Sequence, residues 1–288
     1  MSEGYGALRD GAAWLDLSAR GRIVARGRDR ARLLHNITSN DVKKMMPGAG
    51  CYAFLLNPQG RIQADLYLFC YGDRFLIDTE PELREKVQAH ILKYKVADQV
   101  ELENVTDTTA AIGLEGPQAA AVLKAAGAPV PEGAFAHLAW GNGTVAAVSL
   151  TGQPGFRIYS TLGDRDETVR LLEGAGAMPA DAGDARVVRI ENGKPVCGVD
   201  IRDTTLPQET QQMHAVSFSK GCYLGQEIVE RIRALGRVHR KLERLELDGS
   251  EPVAPGSKLT VDGREAEITS SIYSPHFGKV IALGYVRE

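Results

Sequence analysis

An α+β fold is predicted by three features of this sequence. Two apolar runs flank Asn57-Pro-Gln-Gly60, so residues 50–69 read as a β-hairpin, with proline at the second turn position and glycine at the fourth. Residues 81–94 carry Leu83, Val87, Ile91 and Tyr94 at helical spacing, the clearest amphipathic helix in the chain. Beyond Arg240 the pattern changes to short alternating runs separated by Gly, Pro and Asp, which predicts a small antiparallel barrel. At 288 residues the chain exceeds one small core and suits two or three subdomains.

In chain order, residues 13–27 alternate and turn at glycines, which predicts short strands around Gly21. Residues 27–36 follow as a helix with Ala31 and Leu34 on its apolar side, and Thr38-Ser-Asn-Asp-Val42 is turn chemistry. Asp65 interrupts a strand that otherwise carries Leu, Tyr and Phe, so an inward carboxylate there needs a partner. Pro81 fits a first helical turn, and residues 100–105 alternate as a strand with one wet face. A strand, a turn and a helix begun by Pro117 are expected over 110–123, a connecting excursion over 127–143, and a second hairpin over 145–159. Residues 168–174 form a short helix with a glycine stop; strands are expected at 242–247, 258–261, 265–269 and 279–285.

Composition narrows the function classes. A hydrophobic content of 43% with 25% charged residues marks a globular chain, and a net charge of −3 argues against general nucleic-acid binding. The cysteines at 51, 70, 197 and 222 form no CxxC pair and no zinc-type spacing, so neither a metal site nor disulfides are expected. Cys70 reads as core. The first residues lack the parts of a secretory signal, and no apolar run suffices to cross a bilayer; a cytoplasmic setting away from membranes is expected.

The most unusual stretch is Lys220-Gly-Cys-Tyr-Leu-Gly-Gln-Glu227, followed by Arg231, Arg233, Arg237 and Arg240. A cation near a thiol favours the thiolate, which makes Cys222 a candidate reactive or ligating sulfur with Lys220 as its activator. A lone cysteine is most often a small buried hydrophobe. Here Gly221 and Gly225 permit close backbone approach, Gln226 and Glu227 add polar groups, and no apolar period accounts for them together.

This octapeptide resembles the signature of the YgfZ-type folate-binding proteins, relatives of the T-protein (aminomethyltransferase) of the glycine cleavage system. Further stretches share the likeness: Gly27-Arg-Asp leading to Thr38-Ser-Asn-Asp41, the hairpin Leu56-Asn-Pro-Gln-Gly-Arg-Ile62, Leu114-Glu-Gly-Pro-Gln-Ala119, Thr151-Gly-Gln-Pro-Gly-Phe156, and Arg189 to Asp200 continued by Leu206-Pro-Gln-Glu209. The resemblance implies a three-lobed ring of antiparallel sheets with helices around a central folate channel. Its domains would be a folate-binding region, 1–240, of two interleaved α+β subdomains, one roughly 40–110, and a C-terminal β-barrel, 241–288.

It also implies a site. A reduced pterin presents two adjacent N–H donors that one carboxylate accepts together, and the family places that glutamate at the position of Glu191. Taken alone, Glu191 reads as a surface residue at a strand end. Arg231 and Arg240 are candidates for the carboxylates of the folate tail. Asn40 and Asp41, from the loop facing the channel, and Tyr223 and Gln226, from the octapeptide, complete the expected folate contacts. The implied function is a tetrahydrofolate-binding accessory protein, monomeric, that supports iron–sulfur cluster assembly or repair. It would bind tetrahydrofolate or a one-carbon derivative, use Cys222 as its thiol, and serve iron–sulfur enzymes or assembly proteins. The alternative is folate-dependent aminomethyl transfer, with Asp65 orienting the pterin amine. T-proteins carry two adjacent acidic residues after this turn and lack the octapeptide, and here Ala64 replaces the first acid; both departures count against transfer. A scaffold that kept the fold and lost the ligand is a third possibility.

Overall fold

The computed structural model describes residues 2–288. The chain opens with α1 (Glu3–Asp10), β1 (Ala13–Asp16), β2 (Gly21–Arg26) and α2 (Arg30–Ile37). The hairpin expected over 50–69 is β3 (Gly50–Leu56) and β4 (Ile62–Cys70), and β5 (Arg74–Thr79) extends it. Next come α3 (Arg84–Tyr94), β6 (Glu101–Asn104), β7 (Thr109–Glu115) and α4 (Ala119–Ala125). Then follow β8 (His137–Trp140), β9 (Gly143–Ala146), β10 (Gly155–Thr161), α5 (Arg165–Gly174), β11 (Met178–Pro179) and α6 (Ala182–Glu191). The last elements are α7 (Gln226–Leu235), β12 (Arg240–Leu247), β13 (Lys258–Val261), β14 (Arg264–Ser274) and β15 (Lys279–Arg287). No helix among the described residues is long and apolar enough to cross a membrane.

These elements separate into two compact units. One comprises residues 20–106 and 196–242 with Glu288; the other comprises 2–19, 107–195 and 243–287.

In the first unit, β3-β4-β5-β2-β6 form one sheet in that order. Side chains alternate across a strand, and one face carries Ala53, Leu55, Ala64, Leu66, Leu68 and Ile77 into a core with Leu33, Leu34 and Ile37 of α2. The stripe predicted for α3 is the side it buries, through Val87 and Ile91. Each large apolar side chain removed from water in this way contributes about 1.5–3 kcal/mol before the entropy of ordering it is charged.

In the second unit the sheet order is β11-β1-β7-β10-β9-β8. Ile112, Leu114, Phe156 and Ile158 from its strands pack with Val122 and Leu123 of α4 and Leu172 of α5. The loop after β9 is tied down by Glu115, which is 1% exposed. Its carboxylate accepts from the Ser149 hydroxyl at 3.1 Å, the Thr151 N–H at 3.0 Å, the Thr151 hydroxyl, and the Leu150 N–H. Helices α1 and α6 pair through Tyr5, Leu8, Ala185 and Val188. Ile190 of α6 packs on Ile272 and Ile281 of the C-terminal strands.

The C-terminal strands pair in the order β12-β15-β14-β13. The structure departs from the sequence reading in places. The excursion over 127–143 contains β8. Glu191 ends a helix, not a strand, and is 3% exposed. The β-branched run Val187-Val188 with Ile190 disguises α6. Its start is nonetheless fixed by a reciprocal cap, in which Asp181 accepts from the Asp184 N–H at 2.8 Å and Asp184 accepts from that of Asp181 at 3.3 Å.

Candidate functional site

The hairpin register decides where Asp65 points. Leu55 pairs with Ala64, and Phe54 with Asp65. Ala64 therefore faces the apolar core, whereas Asp65 lies on the opposite face with Tyr52, Phe54 and Tyr67. Asp65 is 5% exposed. The Tyr52 hydroxyl donates to its Oδ2 at 2.9 Å, while Oδ1 has no hydrogen-bond partner among the described residues.

Burial and the neighbouring Glu80 charge push the Asp65 carboxyl up to about 6, against the pull of Arg20 and of the Tyr52 hydrogen bond. Arg20 is itself fixed by Asp78 at 2.8 Å and Glu80 at 2.6 Å. The Tyr52 ring stacks on His214, with centroids 5.3 Å apart, and leans on Tyr67 at 5.0 Å. Burial and the Asp65 charge raise the pKa of the Cys197 thiol. Cys197 also lines a cleft of about 270 Å³ with Gln63, Lys86 and Arg202. A carboxyl that titrates near neutrality can both hold and release a proton.

The polar turn at 38–41 and the octapeptide are stitched together beside this face. The buried Lys220 ammonium donates to the carbonyls of His35, Thr38 (2.7 Å) and Asn40 (2.8 Å). Asn40 donates its amide to the carbonyls of Tyr52 (2.9 Å) and His214 (3.0 Å), and its Oδ1 accepts from the Asp41 N–H at 2.9 Å. The Asp41 carboxylate lies 3.3 Å from His35 Nδ1 and 3.4 Å from Lys44 Nζ. The Leu224 N–H reaches the Asn36 carbonyl at 3.0 Å. Gly225 lies on the hairpin turn with φ +82°, where a Cβ would come within 2.6 Å of the Asn57 carbonyl oxygen. Only glycine fits that approach.

Lys220 is engaged with the backbone of the 35–40 segment. Its ammonium donates to three backbone carbonyls, its charge lies 4.9 Å over the Tyr223 ring, and it also pulls on the Cys51 thiol. Burial brings the ammonium down to about 8, with Asp41 and Cys51 opposing, and burial pushes Cys51 up to about 12. Cys222 is exposed. Tyr223 is buried, its hydroxyl has no partner among the described residues, and its N–H donates to Gln226 Oε1 at 3.3 Å.

The two candidate arginines differ. Arg240 is held by Glu209, with Nε to Oε1 at 3.1 Å. Arg231 makes an exposed pair with Glu227 at 3.3 Å.

Glu191 lies in the other unit. Its Oε1 accepts from the Tyr5 hydroxyl at 2.8 Å and from the Ser274 hydroxyl, and its Oε2 lies 3.4 Å from the Arg9 guanidinium. A bidentate pterin clamp needs both oxygens, so one of those hydroxyls would have to let go of Oε1.

Sequence reasoning missed Tyr52, His214, Arg20, Cys197 and Tyr5. Tyr52 was within reach of it, since the 57–60 turn fixes the register that sets Tyr52 opposite Tyr67, beside Asp65 on the same face. The others come from distant segments with no local signal. Among the described residues no group of three or more His, Cys, Asp or Glu is arranged to hold a metal ion.

Mostly antiparallel sheets flanked by short helices, with a buried carboxylate left half-satisfied on one sheet face, make this an α+β protein. A solved aminomethyltransferase T of the glycine cleavage system from Bartonella henselae has this fold, with TM-score 0.87 and 23% identity over 99% of this chain and 81% of that one. The family model described as the GCVT N-terminal domain matches residues 1–220, and the chain belongs to that family. It is 30% identical to an aminomethyltransferase from Rubrobacter xylanophilus, covering 97% of this chain and 77% of the relative. It is also 28% identical to a putative chloroplastic transferase from Arabidopsis thaliana, covering 99% of this chain and 68% of the relative.

Proposed function

We propose that the chain binds tetrahydrofolate or a one-carbon derivative and transfers a one-carbon unit to that folate from an aminomethyl carrier, releasing ammonia. The observation that carries this reading is the buried Asp65 carboxylate, with Oδ2 held by Tyr52, Oδ1 unpartnered, and a pKa near 6. Such a group fits an amine of a reduced pterin, which it can hold by a hydrogen bond and relieve of a proton. The bound folate would supply the nitrogen that takes up the one-carbon unit.

In this reading Tyr52 fixes the carboxylate, and Arg20, already neutralised by Asp78 and Glu80, keeps its surroundings polar. Asn40, Asp41, Tyr223 and Gln226 shape the wall of the site through the 35–41 and 220–226 segments. Arg231 is the arginine better placed to take a tail carboxylate, since Arg240 already serves Glu209.

The names of the relatives support transfer, and one sequence objection to it weakens. Ala64 faces the core, so an acid at that position would not share the face of Asp65. Folate-dependent ammonia release from an aminomethyl-lipoyl carrier tests the reading. Asp65→Asn should lower the rate about a hundredfold or more with the fold retained; a wild-type protein that releases no ammonia would sink transfer.

A second reading, the YgfZ-type role in supporting iron–sulfur enzymes, is favoured by Cys222. Its thiol is exposed on a short loop tethered on either side by Lys220 and Leu224. Cys222→Ala should then leave tetrahydrofolate affinity unchanged and abolish rescue of iron–sulfur enzyme activity in cells lacking the protein. Undiminished rescue removes the thiol from the mechanism.

A further inference from the structure

We propose that the pocket between the end of β10 and α5 binds a small organic ammonium compound with a compact apolar body. The pocket is distinct from the Asp65 face, and the inference is independent of the folate reading. Its volume is about 200 Å³, and Trp140, Asn142, Ile158, Ser160, Asp164 and Glu167 are among the residues that line it.

The apolar part is an extension of the core. Ile158 is buried in the cluster that Leu172 of α5 closes, and Trp140 packs against the same cluster. The indole is held there by the turn between β8 and β9, where Gly143 is so close to β10 that a Cβ would collide with the Tyr159 carbonyl oxygen.

The polar part is incomplete without a ligand. Strand alternation sets Ser160 on the same face as Phe156 and Ile158, directed into the pocket it lines. Ser160 is 9% exposed, and its Oγ has no hydrogen-bond partner among the described residues. Buried hydroxyls are normally paired, so this one is free to bond a water or a ligand that enters the pocket. At the mouth, Asp164 accepts through Oδ2 from the Thr161 hydroxyl at 2.7 Å and from Asn142 at 3.5 Å, which leaves Oδ1 for a ligand.

Charge selects the class of ligand. Two carboxylates, Asp164 and Glu167, line the pocket, and neither a lysine nor an arginine does. Of the nearby arginines, Arg165 pairs with Asp16 and Asp166, and Arg170 pairs with Glu167 on the exposed side of α5. An anion would meet like charge there. An ammonium group would instead find Asp164 and the Ser160 hydroxyl, with its apolar body on the indole face, where cation and ring attract each other.

The test uses the intact chain and isobutylammonium chloride as probe, followed by the NMR shift of the Trp140 indole N–H. Trp14 serves as internal control, and isobutanol and sodium isovalerate serve as neutral and anionic counterparts. A saturable shift at Trp140 alone is expected, absent with isovalerate and at least about tenfold weaker in Asp164→Asn and in Ser160→Ala. Ser160→Ala removes a hydroxyl that has no hydrogen-bond partner among the described residues, so its melting temperature should match the wild type and its weaker binding cannot be blamed on unfolding. A shift that does not saturate, equal binding of isobutanol, or full affinity in both variants overturns the proposal.

Discussion

Asp65 on β4 and Glu115 on β7 are both buried carboxylates on strands, both raised in pKa by burial, and they are treated in opposite ways. Glu115 accepts four hydrogen bonds from residues 149–151 and so acts as the anchor of a loop. Asp65 receives one from Tyr52, and one of its oxygens receives none. Burial raises the cost of every polar atom left unpaired. A fully bonded carboxylate therefore stabilises the fold, whereas a half-bonded one costs stability and keeps its capacity to bind and to exchange a proton.

The largest expected effect breaks the anchored side of this comparison. Glu115→Ala removes one acceptor shared by four donors, two of them backbone N–H groups. The loss should amount to about 3–5 kcal/mol, read from the urea midpoint at constant slope. A loss below about 1 kcal/mol would mean that water or a rearranged loop replaces the carboxylate, and the contrast with Asp65 would fail.

Asp65→Asn should act in the other direction. In the unfolded chain an aspartate titrates near 4; in the fold Asp65 titrates at about 6. Between these values the folded state keeps a proton that the unfolded state has released, so stability falls as pH rises from about 4 to about 6, and the cost is fully present above that. Asparagine keeps an acceptor for the Tyr52 hydroxyl and carries no charge. The variant should gain about 1–3 kcal/mol at pH 8, and that gain should vanish below about pH 4. Equal stability of the two proteins at pH 8 would show that Asp65 is not strained by burial. The same ionisation gives wild-type activity an acidic limb with its midpoint near pH 6, because only the carboxylate accepts a proton; activity unchanged down to pH 5 would remove Asp65 as the base.

How much of this contrast was legible in the sequence follows from which interactions are local. The 57–60 turn announces the hairpin, its register, and therefore the face on which Asp65 stands. Helix α3 is announced by its apolar stripe. What alternation cannot supply is the partner from elsewhere in the chain. Glu115 looks like an ordinary strand-end acid until the loop at 149–151 closes on it, and Glu191 looks like a surface residue until Tyr5 and Ser274 arrive. The octapeptide is conspicuous in the sequence, but its lysine reaches three carbonyls at 35–40, a target no spacing within residues 220–227 reveals.

Tyr52→Phe gives the smallest effect and sharpens the comparison most. It deletes the side-chain hydrogen bond that holds the Asp65 carboxylate, moving that site further from Glu115 rather than toward it. The hydroxyl stabilises the charged carboxylate, so its removal should raise the Asp65 pKa from about 6 by about half to one unit. The carbon resonance of the labelled carboxyl measures this without any assumption about activity, and the acidic limb of the rate profile should move by the same amount. Global stability should fall by only about 1 kcal/mol, since Phe preserves the ring contacts with His214 and Tyr67. A carboxyl pKa that stays put or falls would mean that other groups already hold Oδ2, and Asp65 would then belong with Glu115 as a structural acid.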